Sequence, residues 1–174
     1  FVPGKKILET GTLEFKSKES AKDYPLASKL ISEENVEGVF IGKDFLTITK
    51  SEKVEWDILK PTLLSIILDF FSSGGEVKSS INPDNDSQEK MQYSKEDQEI
   101  VKKINELLEE RIKPAVAQDG GDISFVKLKQ GVVYLELRGA CSGCPSSTIT
   151  LKSGIENMLK YYIPEIESVE AVNQ

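Results

Sequence analysis

The sequence contains no histidine and only two cysteines, Cys141 and Cys144, in 174 residues. Without histidine there is no Ser-His-Asp triad, no Cys-His pair, no imidazole metal ligand and no histidine general base. Two thiols and the carboxylates are left to carry chemistry. Long apolar runs are also missing. The strongest, Leu63–Leu68, is followed at once by Asp69, far short of the roughly 20 residues a membrane-spanning helix needs. There is no excess of positive charge: 22 basic residues face 29 acidic ones, a formal charge of −7. A nucleic-acid binder usually carries a basic stripe that neutralises phosphates, and an anionic membrane surface asks for the same. Neither partner is expected. The opening Phe1-Val2-Pro3-Gly4 has neither the basic nor the long apolar region of a signal peptide. It also lacks an initiator Met, so the expectation is a processed or trimmed product.

What is present reads as globular, with 39% hydrophobic and 29% charged residues. A chain of this length fits one large domain or two small ones. The stretch Ser72–Tyr93 is rich in Ser, Gly, Asn and Asp, and its few apolar residues show no periodicity. Such composition does not bury enough surface to offset ordering entropy. The reading is a domain over 1–75, a flexible linker over 76–93 and a second domain over 94–174. Their formal charges are −2, −2 and −3, so neither domain is a basic module.

Hydrophobic periodicity gives each block the same kind of content. In the first, Leu13–Phe15 is a short strand and Pro25–Ile31 a short helix. Val36–Ile41 and Phe45–Thr49 form a hairpin around Gly42-Lys43-Asp44. Trp56–Phe71 is a helix with Ile58, Leu59, Thr62, Leu63, Ile66, Ile67 and Phe70 along one side, stopped by Gly74-Gly75. In the second, Ser94 and Asp97 make a capping-box-like start. A helical face of Ile100, Val101, Ile104, Leu107 and Leu108 follows, and Pro114 interrupts it. After the turn Gln118–Asp122, Ile123–Lys129 and Val132–Leu137 form a second hairpin around Gln130-Gly131. A loop over Arg138–Pro145 leads into a helix over Ser146–Tyr161. Ile149, Leu151, Ile155, Met158, Leu159 and Tyr162 lie near the buried side of that helix. Ile166–Val172 is a closing strand. The fold class expected is α+β, as two small domains, each a short sheet covered by helices.

The sharp chemical feature is Gly139-Ala140-Cys141-Ser142-Gly143-Cys144-Pro145-Ser146. CxxC spacing puts both sulfurs on one side of a tight loop, where they can meet one metal, one cluster edge or each other. The loop runs into a helix N-terminus, whose unpaired N–H groups and dipole favour thiolates. Arg138 adds a positive charge nearby in sequence. Gly139 and Gly143 let backbone approach a sulfur ligand. Three readings compete: two buried structural cysteines, a thioredoxin-type redox dithiol, and a metal or iron–sulfur site. A polar loop is a poor place to bury thiols. The proline follows the second cysteine instead of lying between the two, and the element order is not that of thioredoxin. Ligand arithmetic then bears on the third reading. Structural zinc and common iron–sulfur clusters take four protein ligands, and this chain supplies two thiolates. A complete all-thiolate site needs two chains, one CxxC from each around a two-fold axis.

At these residues the sequence resembles the C-terminal domain of NifU, the core of Nfu-type iron–sulfur scaffold and carrier proteins. The resemblance runs over residues 95–172. It is carried by Pro114, Asp119-Gly120-Gly121-Asp122, Leu137, Gly139, Cys141 through Ser147, Thr150-Leu151-Lys152, Ile155-Glu156 and Pro164. It implies that Cys141 and Cys144 are the ligands of a [4Fe–4S] cluster shared by two protomers and passed to apo-proteins. Four thiolates can equally hold a [2Fe–2S] cluster. The first block resembles the Nfu N-terminal domain at Phe1–Gly4, Pro25-Leu26-Ala27, Val39–Phe45, Thr49-Lys50, Trp56 and Leu59-Lys60-Pro61. That implies a cofactor-free domain that orients partners. The implied whole is a non-enzymatic scaffold and carrier, a homodimer when loaded, with upstream assembly proteins and iron–sulfur apo-proteins as partners. A dithiol oxidoreductase and a dimeric zinc module stand as alternatives.

Lysine outnumbers arginine 20 to 2, a bias that favours a bacterial cytoplasm, with the mitochondrial matrix as the alternative. Both compartments keep thiols reduced. Trp56, beside an apolar helix, is read as core, and at least one of Phe70 and Phe71 as inward. Asp119–Asp122 is read as a tight turn with positive φ, and Glu106, Glu109 and Glu110 as a solvated helix face.

Overall fold

The computed structural model describes residues 1–77, 93–142 and 145–172. The chain divides into two compact units, Phe1–Pro83 and Asp84–Gln174, each with its own three-stranded sheet. The linker reading falls mostly on 78–92, outside the described residues. At its edges, Val77 packs against the first apolar core and Tyr93 against the second. Tyr93, read as linker, takes the Leu128 N–H on its hydroxyl at 3.2 Å.

In the first unit, β-branched and aromatic residues give β1 (Leu13–Phe15), β2 (Val36–Ile41) and β3 (Leu46–Lys50), in the order β1-β2-β3. All pairings are antiparallel. The β2–β3 turn closes where Gly42 N–H donates to the Phe45 carbonyl at 2.9 Å. Helix α1 (Pro25–Ser32) starts on a proline, whose missing N–H costs nothing at that position. It buries Leu26, Ala27, Leu30 and Ile31. Helix α2 (Trp56–Ser72) buries Leu59, Leu63, Ile67 and Phe70. Gly74, at φ +79°, turns the chain out of α2.

Three expectations on α2 are corrected. Ile58 is 70% exposed and Trp56 39% exposed, and Thr62 is exposed as well. At 3.6 residues per turn, Ile58 is rotated about 100° from Leu59, off the stripe centred on Leu63. Trp56 lies at the first residue of the helix, beside the edge of Phe1 at 6.5 Å and Lys50 at 5.9 Å. Phe70 does turn inward.

In the second unit, Ser94 caps α3 (Lys95–Leu107) by accepting the Asp97 N–H at 3.1 Å. Pro114 does not end the helical run. A π-helical turn over Leu108–Ile112 carries it into α4 (Lys113–Gln118), with the proline in the first turn of α4. Proline has no N–H to donate to residue 110, and the wider turn absorbs the break. Ile104, Leu108, Ile112 and Val116 stay on the core side. Glu106, Glu109 and Glu110 are exposed.

The hairpin β4 (Gly121–Lys129) and β5 (Val132–Gly139) is longer than its sequence signal at the end near the cysteines. Helix α5 (Pro145–Tyr162) crosses to β6 (Ser168–Val172), which lies parallel to β5. Ile155 and Leu159 of α5 are buried, but Ile149 and Tyr162 are 67% and 44% exposed, against expectation. Residues 155 and 159 are one turn apart and set the inner face. Residue 149 falls about 100° from the middle of that stripe. Glu156 ties α5 to β6: its carboxylate accepts the Val169 N–H at 3.0 Å and the Lys160 ammonium at 2.7 Å.

Candidate metal centre

The site begins at the open end of the β4–β5 hairpin. There Gly121 faces Gly139 across the ladder. Gly120 and Gly139 hold φ of +80° and +65°, which only glycine adopts without strain. Ala140 N–H donates to the Gly120 carbonyl at 3.2 Å, closing the loop onto the turn. Ser142 binds the Gly139 carbonyl twice, by its N–H at 3.2 Å and its hydroxyl at 2.8 Å. The loop therefore begins at Ala140. Arg138 and Gly139, expected in it, belong to β5.

Cys141 is 6% exposed and joins the apolar core of its unit. Its sulfur rests on the bare backbone of Gly121. A Cβ at that position would lie 2.4 Å from Cys141 Sγ, 2.9 Å from the Arg138 carbonyl oxygen and 3.1 Å from Cys141 Cβ. Here the expectation that a polar loop leaves its thiols accessible does not hold for Cys141. The loop folds inward over Gly121, where any side chain would bar it.

Burial pushes the Cys141 thiol up, and the carboxylates of Asp119 and Asp122 add to the effect. The Arg138 guanidinium pairs with Glu136 at 2.5 Å. The turn is confined to Asp119 and Gly120; Asp122, read as part of it, lies in β4, and its carboxylate accepts the Ile123 N–H at 2.8 Å. Cys144 and Gly143 lie outside the described residues. Among the described residues, no three of His, Cys, Asp and Glu gather where they could hold a metal ion. The donor set that remains is thiolate, which suits zinc or an iron–sulfur cluster.

Sequence reasoning missed the role of Gly121. The signal was present: a turn with one positive-φ residue needs one glycine, and the sequence supplies two in succession. The second serves contact with Cys141 instead of backbone freedom.

Both units of the chain match known families. Residues 1–74 match a family model described as the scaffold protein Nfu/NifU N-terminal domain. Residues 104–170 match the NifU-like domain. A human protein named NFU1 iron-sulfur cluster scaffold homolog, mitochondrial, is 46% identical over 173 residues, covering 99% of this chain and 66% of the relative. Proteins of the same name from Drosophila sechellia and Drosophila persimilis are 47% and 46% identical, each with 99% of this chain and 60% of the relative covered. The chain thus spans between 60% and 66% of the length of these relatives. With one match on each of its two folded units, the chain belongs to the Nfu family of iron–sulfur cluster scaffold proteins, joining an Nfu N-terminal domain to a NifU-like domain.

Proposed function

We propose that this chain is an iron–sulfur cluster scaffold and carrier. It binds one [4Fe–4S] cluster as cargo between two protomers, through Cys141 and Cys144 of each, and passes it to apo-proteins. One observation carries the reading. A NifU-like domain holds two thiols three residues apart between β5 and the N-terminus of α5, in a chain with no imidazole. Two thiolates are half of the usual four-ligand set, so the second half comes from another copy.

Loading moves the Cys141 sulfur off Gly121 and out to the surface, where a shared cluster can reach it. Among the described residues, the loop is closed by a bond from Ala140 to Gly120 and two from Ser142 to Gly139. Transfer is then ligand exchange. A recipient thiolate replaces a donor thiolate on iron, the donor sulfur takes back a proton, and no electron is moved. No catalytic turnover is involved, and the Nfu N-terminal domain serves contact with upstream assembly proteins and recipients.

A dithiol oxidoreductase fits less well, because its attacking thiol must be exposed and Cys141 is not. The compartment is a reducing one, either a bacterial cytoplasm or, as the names of the relatives favour, the mitochondrial matrix. The test is anaerobic reconstitution followed by mixing with an apo-hydratase that needs a [4Fe–4S] cluster. Recovery of hydratase activity, with none from Cys141→Ser or Cys144→Ser protein, supports the proposal. A colourless protein that stays monomeric under those conditions overturns it.

A further inference from the structure

We infer that the exposed face of α5 behind the cysteine loop, centred on Ile149, is where a second copy of this chain seats. The inference rests on the proposed two-chain site and names the surface that brings the two halves together. A single exposed isoleucine is ordinary. What surrounds this one is not. Along the described part of α5, the residues open to solvent next to Ile149 are Thr150, Ser153, Gly154 and Asn157, none of them charged, in a chain where 29% of residues are.

The charges of this helix border that face on the β6 side of Ile149, and they are held in pairs. Lys152 pairs with Glu170 at 2.9 Å and Glu156 with Lys160 at 2.7 Å, beside β6. Gly154 is a second, independent sign. Nothing lies within 4 Å of where its Cβ would be, so packing within this chain does not call for a glycine. In a helix interior glycine is about 1 kcal/mol worse than alanine. A bare stretch of backbone on an open helix face allows another element to come close.

The occupant follows from the site. Ile149 is four residues into a helix that starts at Pro145, about 6 Å along its axis at roughly 1.5 Å per residue. A second copy that delivers its own two thiolates to a shared cluster arrives within about a turn of this residue. Two-fold symmetry then sets the same residue of the second copy opposite it. With a net charge of −7 on each chain, two copies repel over most of their surfaces, and an uncharged face is where they approach without like charges meeting.

The test uses full-length Ile149→Glu and Ile149→Lys proteins with both cysteines intact. Each is reconstituted anaerobically alone and as a 1:1 mixture, and loaded dimer is measured by light scattering and visible absorbance. The expected result is a fall of about tenfold or more in loaded dimer for each variant alone and recovery in the mixture, where Glu meets Lys. Unchanged circular dichroism of the apo proteins is expected, because the side chain is exposed. Either variant loading alone as a dimer like the wild type overturns the inference and leaves the proposed function standing. A mixture that does not recover also overturns it. Wild-type protein that fails to load as a dimer removes the proposed function itself.

Discussion

At the scale of single residues, the cysteine loop works through what its neighbours lack. Gly121 has no side chain where Cys141 needs room, and the Arg138 carbonyl beside it is backbone and cannot step aside. Gly121→Ala is therefore expected to cost about 1–3 kcal/mol by overpacking, read as a lower urea midpoint with unchanged slope. The same change should expose the Cys141 thiol, read as faster reaction with a thiol reagent in the folded apo protein. The cysteines themselves were legible in the sequence, because CxxC spacing and the absence of histidine are local facts. The seat of Cys141 was not. It depends on the hairpin setting Gly121 against Gly139, a pairing between residues far apart in sequence. The same long-range closure buried a thiol that composition placed in a polar loop.

At the scale of elements, strands and helices were read from periodicity almost to their ends, and the misses at Ile58 and Ile149 have one cause. A pattern of apolar residues says which stripe is inside only to within one residue. Ile58 and Ile149 belong to apolar patterns, yet each is rotated away from the buried stripe of its helix. Pro114 was read as a break, but a π-helical turn keeps α3 and α4 in one run, since tertiary packing of Ile112 and Val116 holds both sides. Leu159, wholly buried under α5, tests that packing: Leu159→Ala should cost about 2–5 kcal/mol in urea unfolding. Glu156 gives the element scale a pH dependence. Its pKa lies below the usual carboxylate value, first through the hydrogen bond from Lys160 and then through that from Val169. A lowered folded pKa contributes stability that is complete above the unfolded value of about 4.3 and disappears as pH falls through the folded one. Glu156→Gln is expected to be less stable than wild type at neutral pH. The gap should close below the lowered pKa, read by thermal melts across the acid range. A gap that persists at low pH would mean the carboxylate acts by shape alone.

At the scale of the whole molecule, two folded units carry one pair of thiols between them. The two-cysteine count that first excluded most enzyme chemistry underlies, with the NifU-like match, the proposed stoichiometry of half a site per chain. Cys141→Ser and Cys144→Ser should each abolish loading while leaving the first unit folded, because its core contains neither residue. The most direct test of the central claim is Mössbauer and visible spectroscopy of the anaerobically reconstituted full chain, with its mass measured in the same sample. One [4Fe–4S] cluster for every two chains, at the mass of a dimer, is the result expected. A cluster held whole by a single chain, or zinc in place of iron in protein isolated without oxygen, would contradict it.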